Sequence, residues 1–203
     1  MANDGATPPK TQRTATGSGP NSWNHNNAPD GIADLNGNVS EWCAGFRVVG
    51  GEIQVIPDAD CMLSTCDMSA SSTHWRAILQ DGTLVAPGEA NTLKYDYVAS
   101  KWQLATTITD QADSSRYCLF KDMQNGGLTV PQLLKELAVF PADGSGYNSE
   151  YFYLNNGAGL ERFPYRGGSW DNTSHAGVFN SNLYNPRTRT YASVGFRSAF
   201  YGA

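Results

Sequence analysis

The sequence predicts an α+β domain built from antiparallel hairpins, with few helices and long irregular loops. Three observations predict it: two apolar runs folded about Gly50-Gly51, a second pair folded about Asp81-Gly82, and a single segment with helical spacing after Thr129. Gly-Gly and Asp-Gly steps supply the positive φ that tight hairpin turns require. One helix face among several strand-length runs separates such a domain from a parallel α/β fold, in which strands and helices alternate.

Residues 1–28 are rich in Thr, Gly, Pro, Asn and Ser and have no apolar period. They read as an irregular arm, either the remnant of a longer chain or a piece completed by a partner. Residues 29–203 read as one domain. Asn36-Gly37-Asn38 is a tight turn leading into a short strand with Val39 and Trp42. Phe46–Val49 and Glu52–Ile56 form the first hairpin; Trp75–Leu79 and Thr83–Ala86 form the second. Beyond that hairpin, residues 57–128 show no clean period and read as an elaboration of the same domain. Thr129 and Gln132 have capping-box spacing, Pro131 sits in the first turn, and Leu133, Leu134, Leu137 and Ala138 make an apolar face that Pro141 ends. A Gly/Ser/Asn loop over 143–149 precedes the aromatic run Tyr151-Phe152-Tyr153.

Composition narrows the function. With 203 residues, 40% apolar and 16% charged, and with Gly 21, Trp 5, Tyr 10 and Phe 8, the chain suits one loop-rich, aromatic-cored domain. A net charge of −5 without any run of Lys or Arg excludes the clustered cations that phosphate binding needs, so no nucleic-acid partner is expected. No stretch has transmembrane length and the polar N-terminus lacks a signal-peptide core, so no membrane insertion is expected. The four cysteines, Cys43, Cys61, Cys66 and Cys118, are too few for a disulfide scaffold. Cys61 and Cys66 could close a small disulfide loop; the blander reading is reduced thiols packed as small hydrophobes. A second cysteine pair at zinc-ligand spacing is missing, and His25, His74 and His175 are widely separated. No nucleophile elbow of the Gly-x-Ser-x-Gly type occurs, so the chain is expected not to be an enzyme.

The segment 162–201 carries the most information. In Arg166-Gly167-Gly168-Ser169-Trp170 two glycines permit a close backbone approach before a large aromatic anchor. Trp170 and Phe179 are expected in the core, Ala176–Phe179 as buried backbone, and Val194–Phe200 as a closing core strand. Arg166 and Arg197 are expected to pair with carboxylates or carbonyls and stiffen the frame. The residues between are Ser, Asp, Asn, Thr, His, Tyr and Arg, the mixture of a paratope: Tyr gives rigid contact area, Ser and Asn adaptable hydrogen bonds. Asp30, Asp34, Asn36, Asn38 and Glu41 could supply oxygen ligands to a structural calcium, or serve as turn residues bonded to their own backbone. No other cofactor is expected.

Leu35-Asn36-Gly37-Asn38-Val39-Ser40-Glu41-Trp42, together with Arg166–Trp170 and Gly195-Phe196-Arg197, resembles the formylglycine-generating-enzyme branch of the C-type-lectin fold. The finer pattern adds Ala176-Gly177-Val178-Phe179, Asn185-Pro186-Arg187 and Gly195–Phe200. It is similar to the variable proteins of diversity-generating retroelements, many of which are phage tail receptor-binding proteins. Gly51–Pro57 and the helix at 131–140 fit the same group, and the likeness covers roughly 30–57 and 129–203. Departures are Thr173 in place of a glycine, Ser181 in place of a leucine and Thr188 in place of a serine.

The resemblance implies a C-type-lectin fold with a variable region over about 162–200, where error-prone reverse transcription rewrites adenines in Asn codons. The positions it marks as exposed, ligand-binding and variable are Ser169, Asp171, Asn172, His175, Asn182, Tyr184, Asn185, Arg189, Tyr191 and Ser193. Each is reachable from AAC or AAT by changing the first two bases. Lys, Gln, Glu and Met are not, and none of these occurs between Ser169 and Ser193. The implied partner is a protein or glycan receptor on a cell surface. The implied location is a virion tail or a bacterial surface, in a homo-oligomer or joined to the rest of a longer tail protein. The oxidases of the same branch need paired cysteines in the C-terminal part, and this chain has none after Cys118. A carbohydrate-binding lectin-like module is the alternative. Calcium-dependent sugar loops are absent from the sequence, so Tyr184 and Tyr191 would then stack on sugar rings. In a purely structural virion component, positions 169–193 would be silent for binding.

Overall fold

The computed structural model describes residues 13–142 and 146–197. In chain order the strands are β1 (Ser40–Trp42), β2 (Phe46–Val49), β3 (Glu52–Val55), β4 (Arg76–Ile78), β5 (Leu84–Val85), β6 (Lys94–Val98), β7 (Lys101–Ala105) and β8 (Arg116–Leu119), then β9 (Tyr151–Leu154), β10 (Glu161–Arg162), β11 (Tyr165–Gly167), β12 (Gly177–Leu183) and β13 (Val194–Gly195). Between β8 and β9 lies the α-helix α1 (Gln132–Glu136). The described residues are therefore mostly β, with one short α-helix and a few 3-10 turns.

The strands form two sheets. One runs β13-β1-β11-β12-β9-β8, and the other runs β10-β2-β3-β4-β5 with β6 paired to β3 and β7 to β6. Both expected hairpins are present. Gly50 and Gly51 turn β2 into β3 at φ of 55° and 90°, and Gly82, at 89°, lies in the turn between β4 and β5. The elaboration at 57–128 supplies β4–β8: four strands of the second sheet and the edge strand of the first.

Period-2 alternation sends one face of each sheet inward. Ile53 and Val55 of β3, Tyr95 of β6, Trp102 and Leu104 of β7, Phe152 and Leu154 of β9 and Leu183 of β12 belong to one buried cluster, which Leu134, Val139 and Phe140 join from α1 and the chain after it. Tyr95 of the second sheet meets Phe152 of the first at 5.2 Å between ring centroids. Its hydroxyl donates to the Val139 carbonyl at 2.7 Å, so its polar end is satisfied inside the core.

The structure corrects several sequence expectations. The helix is shorter than its apolar pattern suggests: Pro131 is the N-cap, with no side-chain cap bond, so the Thr129–Gln132 box is not made. Ala138 at φ 49° ends the helical path before Pro141 is reached. Of the expected helix face Leu134 is fully buried, whereas Leu137 is exposed. Trp170 is half-buried and outside the core cluster, while Phe179 packs against it and stacks on Phe120 at 5.6 Å. Val178 is exposed on a strand whose neighbour Gly177 is buried. The closing strand is only Val194–Gly195, paired parallel to β1, and Phe196 is 81% exposed rather than core. Residues 198–200 of that expectation lie outside the described residues, as do residues 1–12 of the arm and 143–145 of the loop. The described part of the arm is pinned: Thr14 and Asn38 exchange two hydrogen bonds, and Gly17 N–H donates to Asp34.

Both arginines expected to stiffen the frame do so. Arg166 donates to the carbonyls of Leu137 and Ala138, tying β11 to the end of α1. Arg197 forms a two-pronged ion pair with Glu41 and also donates to the Ala33 carbonyl. Glu41, Asp34 and Asn38 are thus engaged in the frame. Among the described residues no three His, Cys, Asp or Glu side chains gather as a metal site. All four cysteines are free thiols, Cys61 and Cys66 included. No helix among the described residues is long and apolar enough to cross a membrane.

Candidate functional site

The outer face of the first sheet carries the site. Pairing across β1, β11, β12, β9 and β8 aligns Trp42, Tyr165, Asn182, Tyr153 and Tyr117 in one row. Directly paired residues share a face of a sheet. The core side chains Phe152, Leu154 and Leu183 point the other way, so this row faces away from the core. After β11, Gly167 and Gly168, at φ of 87° and 73°, turn the chain into a loop that folds over β12. The loop is closed by Asn172, whose side-chain oxygen accepts from the Ser169 N–H at 2.7 Å, while the Ser169 hydroxyl donates to Asp171 at 2.6 Å. Thr173, standing where the resembled family has glycine, takes φ 51°, an unfavourable conformation for a β-branched residue.

Between this loop, the sheet and the segment after β12 lies a cavity of about 240 Å³. It is lined by Ser40, Tyr165, Ser169, Asp171, Asn172, Asn182, Tyr184, Tyr191, Ser193 and Val194. Seven of the ten positions singled out from the sequence meet there: Ser169, Asp171, Asn172, Asn182, Tyr184, Tyr191 and Ser193. They are not uniformly exposed, as the sequence reading had them. Ser169 and Asn182 are buried at the cavity, whereas Asp171 and Tyr191 stand exposed.

The other three positions lie elsewhere. Arg189 is exposed beside the cavity, its guanidinium over the Tyr191 ring at 3.8 Å and in contact with the Tyr191 hydroxyl. His175 stacks on Tyr151 with centroids 3.8 Å apart. Its Nδ1 lies 2.9 Å from the Ser149 carbonyl, to which it can only donate, and its Nε2 lies 2.9 Å from the Tyr151 hydroxyl. Asn185 is buried and donates to the Tyr165 hydroxyl at 2.9 Å, so it serves the frame rather than presenting a side chain to solvent.

Tyr165 is held neutral. Burial pushes its phenol well above the ordinary range, and its hydrogen bond with Tyr184 pushes the same way. Its hydroxyl therefore stays protonated and is available to donate as well as accept hydrogen bonds. Burial likewise raises the Tyr153 phenol, with Tyr151, Tyr117 and Tyr184 adding to it.

Sequence reasoning missed Ser40, Tyr165 and Val194 in the cavity and Tyr117, Tyr151 and Tyr153 beside it. A signal for two of these was present. In Tyr151-Phe152-Tyr153-Leu154 the strand period that buries Phe152 and Leu154 turns both tyrosines outward.

Frame and presented residues should separate in stability. Changing Asp171, Arg189 and Tyr191 to Ala should cost no more than about 0.5 kcal/mol each, as for exposed positions generally. Asn185→Ala should cost about 1–3 kcal/mol, because the buried Tyr165 hydroxyl loses its donor. Urea unfolding of the four variants measures this, and a neutral Asn185→Ala would contradict the structural role of Asn185.

No protein-family model matches the chain, and no curated protein matches it. Fold and site together define a mostly-β protein with a polar, tyrosine-lined cavity on the outer face of a sheet.

Proposed function

We propose that this is a ligand-binding protein of the C-type-lectin fold, similar to the variable proteins of diversity-generating retroelements, and that it binds rather than catalyses. Its C-terminal segment holds interchangeable side chains on a stiff frame, and its ligand is a receptor on a cell surface, met from a phage tail or a bacterial surface. One observation carries this reading: seven positions marked by the resemblance, spread between residues 169 and 193, line a single cavity. In a segment diversified for reasons unrelated to binding, such positions would have no cause to converge.

The energetics favour the same reading. Gly167, Gly168, Arg166 and Arg197 fix the backbone before any ligand arrives, which limits the ordering cost of binding. Tyr184 and Tyr191 supply aromatic anchors, with Asp171 and Arg189 as polar discriminators of opposite charge. Sequencing the DNA around the gene tests the proposal. A near-copy of the codons for residues 162–200, differing mainly at adenines and lying beside a reverse-transcriptase gene, is expected. A complete genome without one overturns the diversification reading.

A further inference from the structure

We infer that Asn125 is a site of self-modification, at which the backbone of this protein converts an asparagine to isoaspartate, and that the fold shields the other Asn-Gly steps from the same reaction. This chemistry does not depend on what the outer-face cavity binds.

The sequence has three Asn-Gly steps, Asn36-Gly37, Asn125-Gly126 and Asn156-Gly157. At such a step the glycine nitrogen can attack the asparagine Cγ, because the glycine has no side chain to stand in the way. The N–Cγ bond forms and the bond from Cγ to the amide nitrogen breaks. Ammonia leaves, carrying a proton in place of the one the glycine nitrogen gave up. Water then opens the succinimide ring at either carbonyl, which yields aspartate or isoaspartate. The net change is one water taken up and one ammonia lost, with no oxidant or cofactor. The reaction needs a free glycine N–H, a side chain able to swing, and water.

Asn125 meets all three needs. Asn125, Gly126 and Gly127 are exposed. Gly126 and Gly127, at φ of 60° and 78°, make a tight turn closed by the Leu128 N–H on the Asn125 carbonyl at 3.0 Å. The Gly126 N–H has no hydrogen-bond partner among the described residues. The Asn125 side-chain oxygen accepts from the Gly127 N–H at 3.1 Å. That bond brings Cγ round toward the Gly126 nitrogen and draws electrons from the carbon to be attacked. It leaves the departing NH2 group without a hold.

The other two steps are restrained. The Gly37 N–H donates to the Gly167 carbonyl at 3.1 Å, so its nitrogen is committed to the frame. Asn156 is fully buried, its oxygen accepts from Ala112 and Arg116, and its Nδ2 donates to the Asp110 carbonyl. The Gly157 N–H is taken by the Asn155 side chain at 2.9 Å. Neither the attacking nitrogen nor the carbon it must reach can move there.

Isoaspartate routes the main chain through the former side chain and adds one carbon to the backbone between Gln124 and Gly126. That stretch has no slack. The Gln124 N–H donates to the Trp102 carbonyl and its carbonyl accepts from the Leu104 N–H, both at 2.9 Å, so it is clamped to β7. The turn is pressed onto the same strand, since a Cβ on Gly126 would run into the Leu104 carbonyl oxygen. The converted protein is therefore expected to melt several degrees lower.

The experiment incubates the full chain at physiological temperature in mildly alkaline buffer, which helps to remove the proton from the attacking amide. Trypsin then places the three steps on separate peptides. Mass spectrometry reads the gain of one mass unit, and labelling by an isoaspartate methyltransferase separates isoaspartate from aspartate. In the folded protein the Asn125 peptide is expected to convert five-fold or more faster than the Asn36 and Asn156 peptides. In urea the three rates should converge, because only the dipeptide then matters. Asn125→Ser should abolish labelling of its peptide and keep the melting temperature constant through an incubation in which that of the wild type falls. Asn36 or Asn156 converting as fast as Asn125 in the folded protein, Asn125 staying intact there, or the same spread of rates in urea overturns the inference.

Discussion

Replacing Glu161 by Ala is expected to destabilise the protein by about 3–5 kcal/mol, because it strands a buried arginine. Arg47 is buried on β2, its guanidinium over the Trp75 ring at 4.2 Å, and it donates to Gln54, to the Ala70 carbonyl and to Glu161 at 2.7 Å. Glu161 on β10 is its carboxylate partner and also accepts two bonds from Arg187. For a chain of this size each kcal/mol lowers Tm by about 2–4 °C, so a fall of roughly 10 °C is expected in a thermal melt. Glu161→Gln keeps an acceptor but not the charge and should fall between. Burial pushes the Glu161 carboxyl up, but the hydrogen bonds and charges of Arg187 and Arg47 outweigh it and hold the group below its ordinary value. A depressed carboxylate contributes stability above its unfolded pKa of about 4.3 and loses it as pH falls through the folded value. The gap between wild type and Glu161→Ala should therefore be full at neutral pH and narrow in acid below about pH 4. A loss under about 1 kcal/mol, or a gap unchanged by acid, would contradict the ion-pair account.

The same carboxylate matters for the site. Arg187 also donates to the Met68 carbonyl and lies over Phe163, so Glu161 anchors the segment from which Arg189 and Tyr191 project. Such anchoring is what the proposed function requires of the frame, which must hold its shape when the side chains beside it differ.

How far the sequence disclosed this arrangement depended on whether the cause was local. The hairpins at Gly50-Gly51 and Asp81-Gly82 were legible because glycine marks positive φ directly. The hairpin of β6 and β7 was not, although Trp102 and Leu104 alternate with half-buried neighbours. Its turn residues are Ala99 and Ser100, at φ of 49° and 63°, in place of the Asn-Gly that usually announces such a turn. The parallel pairings of β12 with β9 and of β1 with β13 join segments far apart in sequence and leave no local trace. That is why Tyr117 and Tyr153 went unnoticed while Tyr184 and Tyr191 did not. The latter two were marked by a motif, and the former reach the site only through strand register. Asn185 shows the converse: the motif marked it as presented, but burial and the Tyr165 hydroxyl put it to structural use.

The Gly167-Gly168 step offers the second large effect, and it tests whether the frame is set by close backbone approach. Gly167 takes φ 87°, and a Cβ there would lie 2.8 Å from the Leu35 carbonyl oxygen. That oxygen belongs to the turn whose Gly37 N–H donates to the Gly167 carbonyl at 3.1 Å, so neither backbone can retreat without breaking the other's contact. Gly167→Ala is expected to cost about 3 kcal/mol, roughly half from the left-handed φ and half from overpacking. Gly37 provides the control: its φ is 80° but a Cβ there meets nothing within 4 Å. Gly37→Ala should then show the conformational cost alone, about 1–2 kcal/mol. The difference between the two variants, measured by chemical unfolding, isolates the approach of β11 to the Asn-Gly-Asn turn. Because Gly167 launches the loop that carries Ser169 and Asp171 to the cavity, its variant should also weaken the ligand binding proposed for that cavity, whereas Gly37→Ala should weaken it less. Equal costs for the two would mean that the turn yields to a methyl group, and the glycines would then be tolerated loop residues rather than the hinge point of a rigid frame.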